Sequence, residues 1–533
     1  MLPPTGLRRV LEREAPLVRL VFVLLALAVG LRLAHLALIA PTPLAGFHRE
    51  FVDSDMWFFD QWVQRIVGGD WLGRQPFHPL AAWQLAAAPA QKWAEWYGSA
   101  PTFYKAPFYA YLVATLAAIR VPVIGVFALQ AFAAALSGWL LFRVTRRLFG
   151  ARAGLFAVAL FAFYGPDVHF TTVLLRGPWI VLTTLLVTDR LLSLSVRPST
   201  ARGVMAGLSV AAALVVNEGM TPLVILAPLA LALSGVAFPR EWKAYLGLAV
   251  GALAGLAPIV VRNAVVGAPP LHLAVTGTVV LAVFNSSTSD PLFFSARPEH
   301  FEPVMRASGT SLLETLIACA RSFASLSDWA CFYLRKIAGL VAPFENPDNL
   351  NYYYAALVNP WLGWLPAYGV LFPLAVVGAF LVWPDRRAVL WCWIPSSLTL
   401  LAAMILTLPL SRYRAVWAVH LIPFAGLALS RVWAGMREPN PGSVLRLSLG
   451  VVVVVALQLL VQRDVLFRER EAMASMYRPS EFVLSARMNA KGGHFAAAAR
   501  EMERLAVLHP DSGIRTQALA LAREYRGRLQ GPS

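Results

Sequence analysis

Two carboxylates stand two residues apart, Asp53 and Asp55, and an aromatic run, M-W-F-F-D-Q-W-V-Q-R-I-V-G-G, follows the second at once. Acids at this spacing can hold a cation, act as a general base with a neighbour, or sit in a solvated turn. An amphipathic aromatic stretch lies along a membrane surface, so a carboxylate at its start is kept beside the bilayer. A base must come within hydrogen-bond reach of the proton it takes, and for a substrate carried on a lipid that means this depth. Asp60 and Asp70, farther along, read as surface or capping residues.

Lys105, in F-Y-K-A-P-F-Y-A-Y, is the second anchor. Its stem can lie on apolar surface with the ammonium among headgroups, or the ammonium can serve as a point charge on a lipid phosphate. Arg176 in L-L-R-G-P-W, Arg262 in V-V-R-N-A-V-V-G, and Arg412 and Arg414 in S-R-Y-R-A-V-W each stand at a membrane end. Each suits a phosphate grip or an interfacial anchor. Asp167 and His169, in F-Y-G-P-D-V-H-F, close an apolar run, where an acid can orient an acceptor. Asn217-Glu218-Gly219 interrupts another, at a place that suits a helix cap or a sugar contact. Cys319, Cys331 and Cys392 have neither metal nor disulfide spacing.

The elements that must position these residues are greasy helices. A soluble domain carries roughly 25% charged residues; this chain carries 14%, against 58% hydrophobic residues and a mean hydropathy of +0.61. The expected fold is an all-α polytopic membrane protein. Apolar runs long enough to cross a bilayer fall at 17–40, 123–142, 153–166, 172–188, 203–217, 221–238, 244–261, 361–383, 388–409, 415–434 and 446–462. That makes about 11 transmembrane helices, with a range of roughly 10 to 13. The first follows Arg8, Arg9, Arg13 and Arg19 and is too long for a signal-peptide core, so it reads as a retained anchor.

The net charge of +17 comes mostly from short loops between apolar runs. This is positive-inside topology and not a nucleic-acid surface. The run 106–119 is best read as an interfacial helix, because a span there would put the arginines of 143–152 outside. With it excluded, 143–152, 189–202, 240–243, 385–387 and 431–437 face the cytoplasm. Asp53, Asp55, Lys105, Asp167, His169, Arg176, Glu218, Arg262, Arg412 and Arg414 then share the outer face. Charges at membrane depth are costly and usually functional.

The organisation is thus a transmembrane domain over 1–462, with a first outer loop at 41–122 and a long outer loop at 262–355. A soluble helical tail follows at 463–533. The long loop should hold interfacial helices, with 311–342 the most helical part. The tail's G-x-F…A…L…P-D pattern resembles one tetratricopeptide unit. A single unit cannot bury its own face, so it must pack on the membrane domain or on a protein partner.

The order of these pieces resembles the GT-C superfamily of polytopic glycosyltransferases, in particular the protein-mannosyltransferase and lipid A aminoarabinose transferase group. The stretches that carry the resemblance begin with D-M-W-F-F-D-Q-W-V-Q-R-I-V-G-G-D from Asp55, F-Y-K-A-P-F-Y-A-Y-L around Lys105 and R-V-T-R-R-L-F-G at 143–150. They continue with L-L-R-G-P at 174–178, P-I-V-V-R-N at 258–263 and S-R-Y-R at 411–414, and the resemblance covers residues 10 to 435. It departs at Asn217-Glu218-Gly219-Met220, where relatives often read Arg-Pro-Asn, and at T-V-V-L-A-V-F-N-S-S-T-S-D, which replaces a Gly-Asn-rich loop.

The resemblance implies a GT-C-like fold and transfer of a sugar from a polyprenyl-phosphate donor to a glycan, lipid or protein acceptor. The expected setting is the outer face of a bacterial inner membrane, facing the periplasm or exterior. It implies that Asp55 is the catalytic aspartate, with Asp53 its stand-in, that Lys105 meets the lipid phosphate, and that Asp167 is a second outer-loop acid. Arg176, Arg262, Arg412 and Arg414 are the further phosphate-binding candidates. Asp167, His169 and Glu218 are the acceptor or sugar contacts. A monophosphate carrier requires no metal or other cofactor if cations stabilise the leaving group, although D-S-D also suits divalent-metal assistance. The rival reading is a transporter or flippase of a polyprenyl-linked or anionic lipid, but no internal repeat of the kind transporters show is present. A non-catalytic assembly protein whose tail recruits partners is the third.

Overall fold

A computed structural model describes residues 4–52, 54–98, 100–294, 298–308, 311–382, 390–437, 441–466 and 469–529. Asp53 and the 385–387 loop fall outside them. The described residues form helices and no strand. Among the described residues seven helices are long and apolar enough to cross a membrane: Pro16–Ile39, Val123–Phe149, Gly177–Val196, Phe238–Val266, Pro360–Leu381, Ser411–Arg437 and Leu445–Arg463. Shorter apolar helices lie at Ala151–Phe163, Thr200–Val216, Glu218–Leu233 and Ile394–Leu406. Every apolar run expected to span therefore corresponds to a helix, but some are shorter than their runs. The run 153–166 stops at Phe163, because Pro166 starts a new turn of helix at Gly165–Phe170. The run 106–119 is an 11-residue helix, Phe108–Ala118. At ~16 Å it is about half of a ~30 Å hydrocarbon core.

Glycines set the closest helix packing. Gly203 and Gly207 on Thr200–Val216 face Gly247 and Gly251 on Phe238–Val266. A methyl group added at Gly207 would lie 2.1 Å from the Leu248 carbonyl oxygen, and one at Gly251 2.1 Å from that of Val204. Small residues four apart allow such backbone contact between membrane helices, where no hydrophobic gradient drives association.

The first outer loop folds on aromatic side chains. The helix Asp55–Val67 begins at Ser54, whose hydroxyl accepts the Trp57 N–H at 3.1 Å as an N-cap. Met56, Phe59, Val63 and Ile66, joined by Phe58 and Trp62, form its buried face at helical spacing. That face meets the next strip of chain: Phe59 packs edge-on to Tyr109 at 5.0 Å, Phe58 lies 4.8 Å from Tyr104, and Trp62 lies 5.8 Å from Phe103. Aromatic pairs of this kind add about 0.5–1.5 kcal/mol each beyond their burial. The long loop contributes Gly277–Asn285, Pro298–Ser308, Leu312–Arg321 and Leu326–Val341. The first three of these pack together, and their cluster buries Trp93, Trp96 and Tyr97 of the first loop against Phe301.

The tail forms Glu469–Met476, Pro479–Lys491, Phe495–Leu508 and Ser512–Gly527, the last three packed in sequence. It docks on the chain's own loops. Phe482 meets Tyr354 edge-on at 4.9 Å, the Tyr354 hydroxyl donates to Glu501 at 2.9 Å, and Lys491 pairs with Glu50 at 2.6 Å.

Candidate functional site

The aromatic clamp that seats Asp55–Val67 on residues 103–109 also brings Lys105 onto Asp55. The Lys105 ammonium donates to Asp55 Oδ1, and its charge lies over the Phe58 and Phe59 rings. The other carboxylate oxygen, Oδ2, pairs with the Arg412 guanidinium. Arg412 stands in the first turn of Ser411–Arg437 and also pairs with Asp348. Beside them Arg176 forks onto Glu218, at 2.5 Å and 3.0 Å. Glu218 Oε2 also accepts the Ala106 N–H at 3.1 Å, which ties this pair to the residue after Lys105. Lys105, Arg176 and Arg412 thus alternate with Asp55, Glu218 and Asp348 in one cluster. Each of the six side chains keeps 15–23% of its surface exposed, so the cluster opens to a ligand.

Three effects act on the Asp55 carboxyl. Burial alone would raise it; the Arg412 guanidinium and the Lys105 ammonium outweigh burial and hold it well below the usual carboxylate range. Its place in the first turn of a helix, where N–H dipoles converge, favours the same charged form. Burial pushes the Lys105 ammonium below the usual lysine value, and Asp55 opposes the shift. The Asp55 N–H, one of the donors a helix start leaves unpaired, donates to Asn349 Oδ1 at 2.7 Å.

Of the residues singled out from the sequence, Asp55, Lys105, Arg176, Glu218 and Arg412 meet in this cluster. Asp53 lies outside the described residues, and Asp167, His169, Arg262 and Arg414 make their bonds elsewhere. Asp167, expected to orient an acceptor, is 6% exposed and pairs with the fully buried Arg32 at 2.5 Å. His169 is fully buried, bonded to the Leu350 carbonyl at 3.2 Å and packed 5.9 Å from His35. Arg262 spends its guanidinium on the carbonyls of Leu72, Gly73 and Pro101 and holds the first loop in place. Arg414 is buried against Glu345 at 2.9 Å and also donates to the carbonyls of Ala342 and Phe344. An ion pair so enclosed fixes backbone and offers no charge to a ligand. These four side chains bond to the chain itself and stand apart from the cluster around Asp55.

Three residues the sequence reading passed over matter here. Glu345 accepts from Arg414, from the Ser411 hydroxyl at 2.8 Å and from the Tyr368 N–H at 3.0 Å, and so locks the loop to the start of Ser411–Arg437. That lock places Asp348 against Arg412 and Asn349 against Asp55. The signal was the polar turn E-N-P-D-N at 345–349, set between apolar helices. Asp60 and Asp70 take lesser roles: Asp60 lies 3.8 Å from His48, and Asp70 caps a turn through the Arg74 N–H at 2.9 Å. Among the described residues no group of three or more His, Cys, Asp or Glu gathers as metal ligands would.

No protein-family model and no curated protein matches the chain. It is similar to solved structures of the oligosaccharyltransferase of Archaeoglobus fulgidus. The apo form aligns over 95% of this chain and 60% of that one, at 15% identity and a TM-score of 0.42. The archaeal oligosaccharyltransferase of the same organism, in complex with an inhibitory peptide and a dolichol-phosphate, aligns over 88% of this chain and 59% of that one. The identity is 15% and the TM-score 0.41. The chain spans about 60% of the length of the structures it matches.

Proposed function

We propose that this chain is a membrane glycosyltransferase that moves a sugar from a polyprenyl-phosphate carrier to a hydroxyl or amine acceptor on the outer face of the membrane. The observation that carries this reading is the Asp55 carboxylate, held at a helix start between Lys105 and Arg412 with the Arg176–Glu218 pair alongside. Such a cluster joins a carboxylate for an acceptor to cations for a phosphate, at the ends of apolar helices. The side of the membrane follows from charge. Arg176 and Arg412 stand at the first turns of Gly177–Val196 and Ser411–Arg437, while Arg190, Arg431 and Arg437 lie toward the other ends. By the positive-inside rule the arginine-rich ends face the cytoplasm and the cluster faces out.

The acceptor oxygen or nitrogen attacks the anomeric carbon, the carbon–oxygen bond to phosphate breaks, and the electron pair leaves with the lipid phosphate. The acceptor's proton passes to Asp55. Lys105, Arg176 and Arg412 meet the charge that develops on the phosphate. In the free site Asp55 is a weak base, because Arg412 and Lys105 hold its carboxyl low. A phosphate competing for those cations loosens that hold, so the carboxylate gains basicity as the donor binds. The proposed step draws its positive charge from Lys105, Arg176 and Arg412.

The test is genetic and chemical together. A glycan lost on deletion of this chain, detected by mass spectrometry, should return with the wild-type chain and not with Asp55→Asn. Loss should exceed about a hundredfold in rate. A D55N chain that restores the glycan in full overturns the assignment of Asp55, and export of a lipid without transfer favours the transporter reading.

A further inference from the structure

The tail makes its closest polar contacts with the two segments that flank Asp55. Arg478, the residue before the helix Pro479–Lys491, donates from Nη2 to the Asn349 carbonyl at 3.0 Å. Its guanidinium is fixed from behind by Glu481, whose carboxylate is fully buried and accepts from Arg478 Nε at 2.7 Å and 2.9 Å. Two residues farther along the loop, Asn351 Nδ2 donates to the Met476 carbonyl at 2.8 Å. On the other flank Met488 fills the space at Gly46, and Lys491 reaches Glu50.

Asn349 is where this grip meets the site. Its φ is +44°, a left-handed conformation that asparagine tolerates and most residues avoid, and such a turn persists only where its surroundings hold it. Its carbonyl and both side-chain polar atoms are used. The carbonyl takes Arg478, Oδ1 accepts the Asp55 N–H at 2.7 Å, and Nδ2 donates to Asp348 at 2.9 Å. Asp348 in turn shares Arg412 with Asp55. A short chain of bonds therefore runs from the tail to the Asp55 backbone amide: Glu481, Arg478, Asn349, Asp55.

We propose that the C-terminal helical tail belongs to the positioning apparatus of the site: Arg478 holds the Asn349 turn that tethers Asp55 and presents Asp348 to Arg412. Arg478, Asn349 and Glu481 are positioning residues, acting through the groups that line the cluster. The assignment concerns the geometry around Asp55 and stands whatever substrate that carboxylate serves.

Hydrogen–deuterium exchange on the full-length chain in lipid nanodiscs tests it without any substrate. In Arg478→Ala, peptides containing the Asp55 amide should exchange roughly five- to tenfold faster, the loss expected when one tethering bond is released. Peptides of the Val123–Phe149 helix should be unchanged. Asn349→Gly keeps the left-handed turn and the carbonyl but removes the side chain, so it should speed the Asp55 amide equally while leaving the tail peptides protected. Tyr354→Phe removes a different docking bond, to Glu501, and should leave the Asp55 amide as in wild type. Unchanged exchange at Asp55 in Arg478→Ala or in Asn349→Gly, or equal acceleration in Tyr354→Phe, overturns the proposal. Failure of the transfer reading would leave these results as they are.

Discussion

Asp55 differs from the other acids singled out in the sequence by what its neighbours leave open. Asp167 has one buried partner, Arg32, and that pair is nearly closed to solvent. Asp55 has two cations and a share of exposed surface, so a ligand that takes a cation changes its state. The same pairing predicts a response to acid. The Asp55 carboxyl sits lower in the folded chain than in the unfolded one. Its pairing therefore adds stability in full above the ordinary carboxylate range, and the gain fades as pH falls below that range. The Asp55→Asn chain should melt lower than wild type at neutral pH, with the gap closing on strong acidification. A gap in melting temperature that stays constant across that range contradicts the pairing.

Among the elements, the short helix Asp55–Val67 and the glycine-packed pair do different work. The first is held by aromatic contacts and carries the carboxylate; the second fixes the frame behind Glu218, which stands two residues past the end of Thr200–Val216. The frame has little room to give. Gly207→Ala places a methyl 2.1 Å from the Leu248 carbonyl and should destabilise the chain by about 1–3 kcal/mol, as overpacking does. Gly30→Ala, in the first long helix where a methyl meets nothing within 4 Å, should be neutral or slightly stabilising. Thermal unfolding in detergent compares the two, and equal melting temperatures would contradict the close packing.

Taken whole, the molecule joins its two loops and its tail on one side of the helix bundle. The tail rests on residues 46–50 and 349–354, the segments that bracket the cluster, so tail and site must share a face of the membrane. In the proposed orientation that face is the outer one. Val507, 81% exposed on the tail helix Phe495–Leu508, is a suitable reporter. With Cys319, Cys331 and Cys392 replaced, Val507→Cys should react with a membrane-impermeant maleimide on intact cells. Labelling only after permeabilisation would put the tail, and the cluster with it, on the cytoplasmic side.

Apolar length and helical spacing by themselves determined the all-helical membrane architecture, because burying backbone polar groups in lipid leaves few alternatives to a helix. Charge bias set 106–119 apart as an interfacial helix, and Asp55, Lys105, Arg176, Glu218 and Arg412 stood out as charges at costly depth. Sequence alone could not separate those residues from Asp167, His169, Arg262 and Arg414, since all stand at helix ends in similar surroundings. The tertiary structure separates the two groups in space, because partners distant in the chain engage the second: Arg32 lies 135 residues from Asp167, and Glu345 69 residues from Arg414. It also brought in Asp348, Asn349 and Arg478, whose roles rest on contacts up to 294 residues apart that no local pattern encodes.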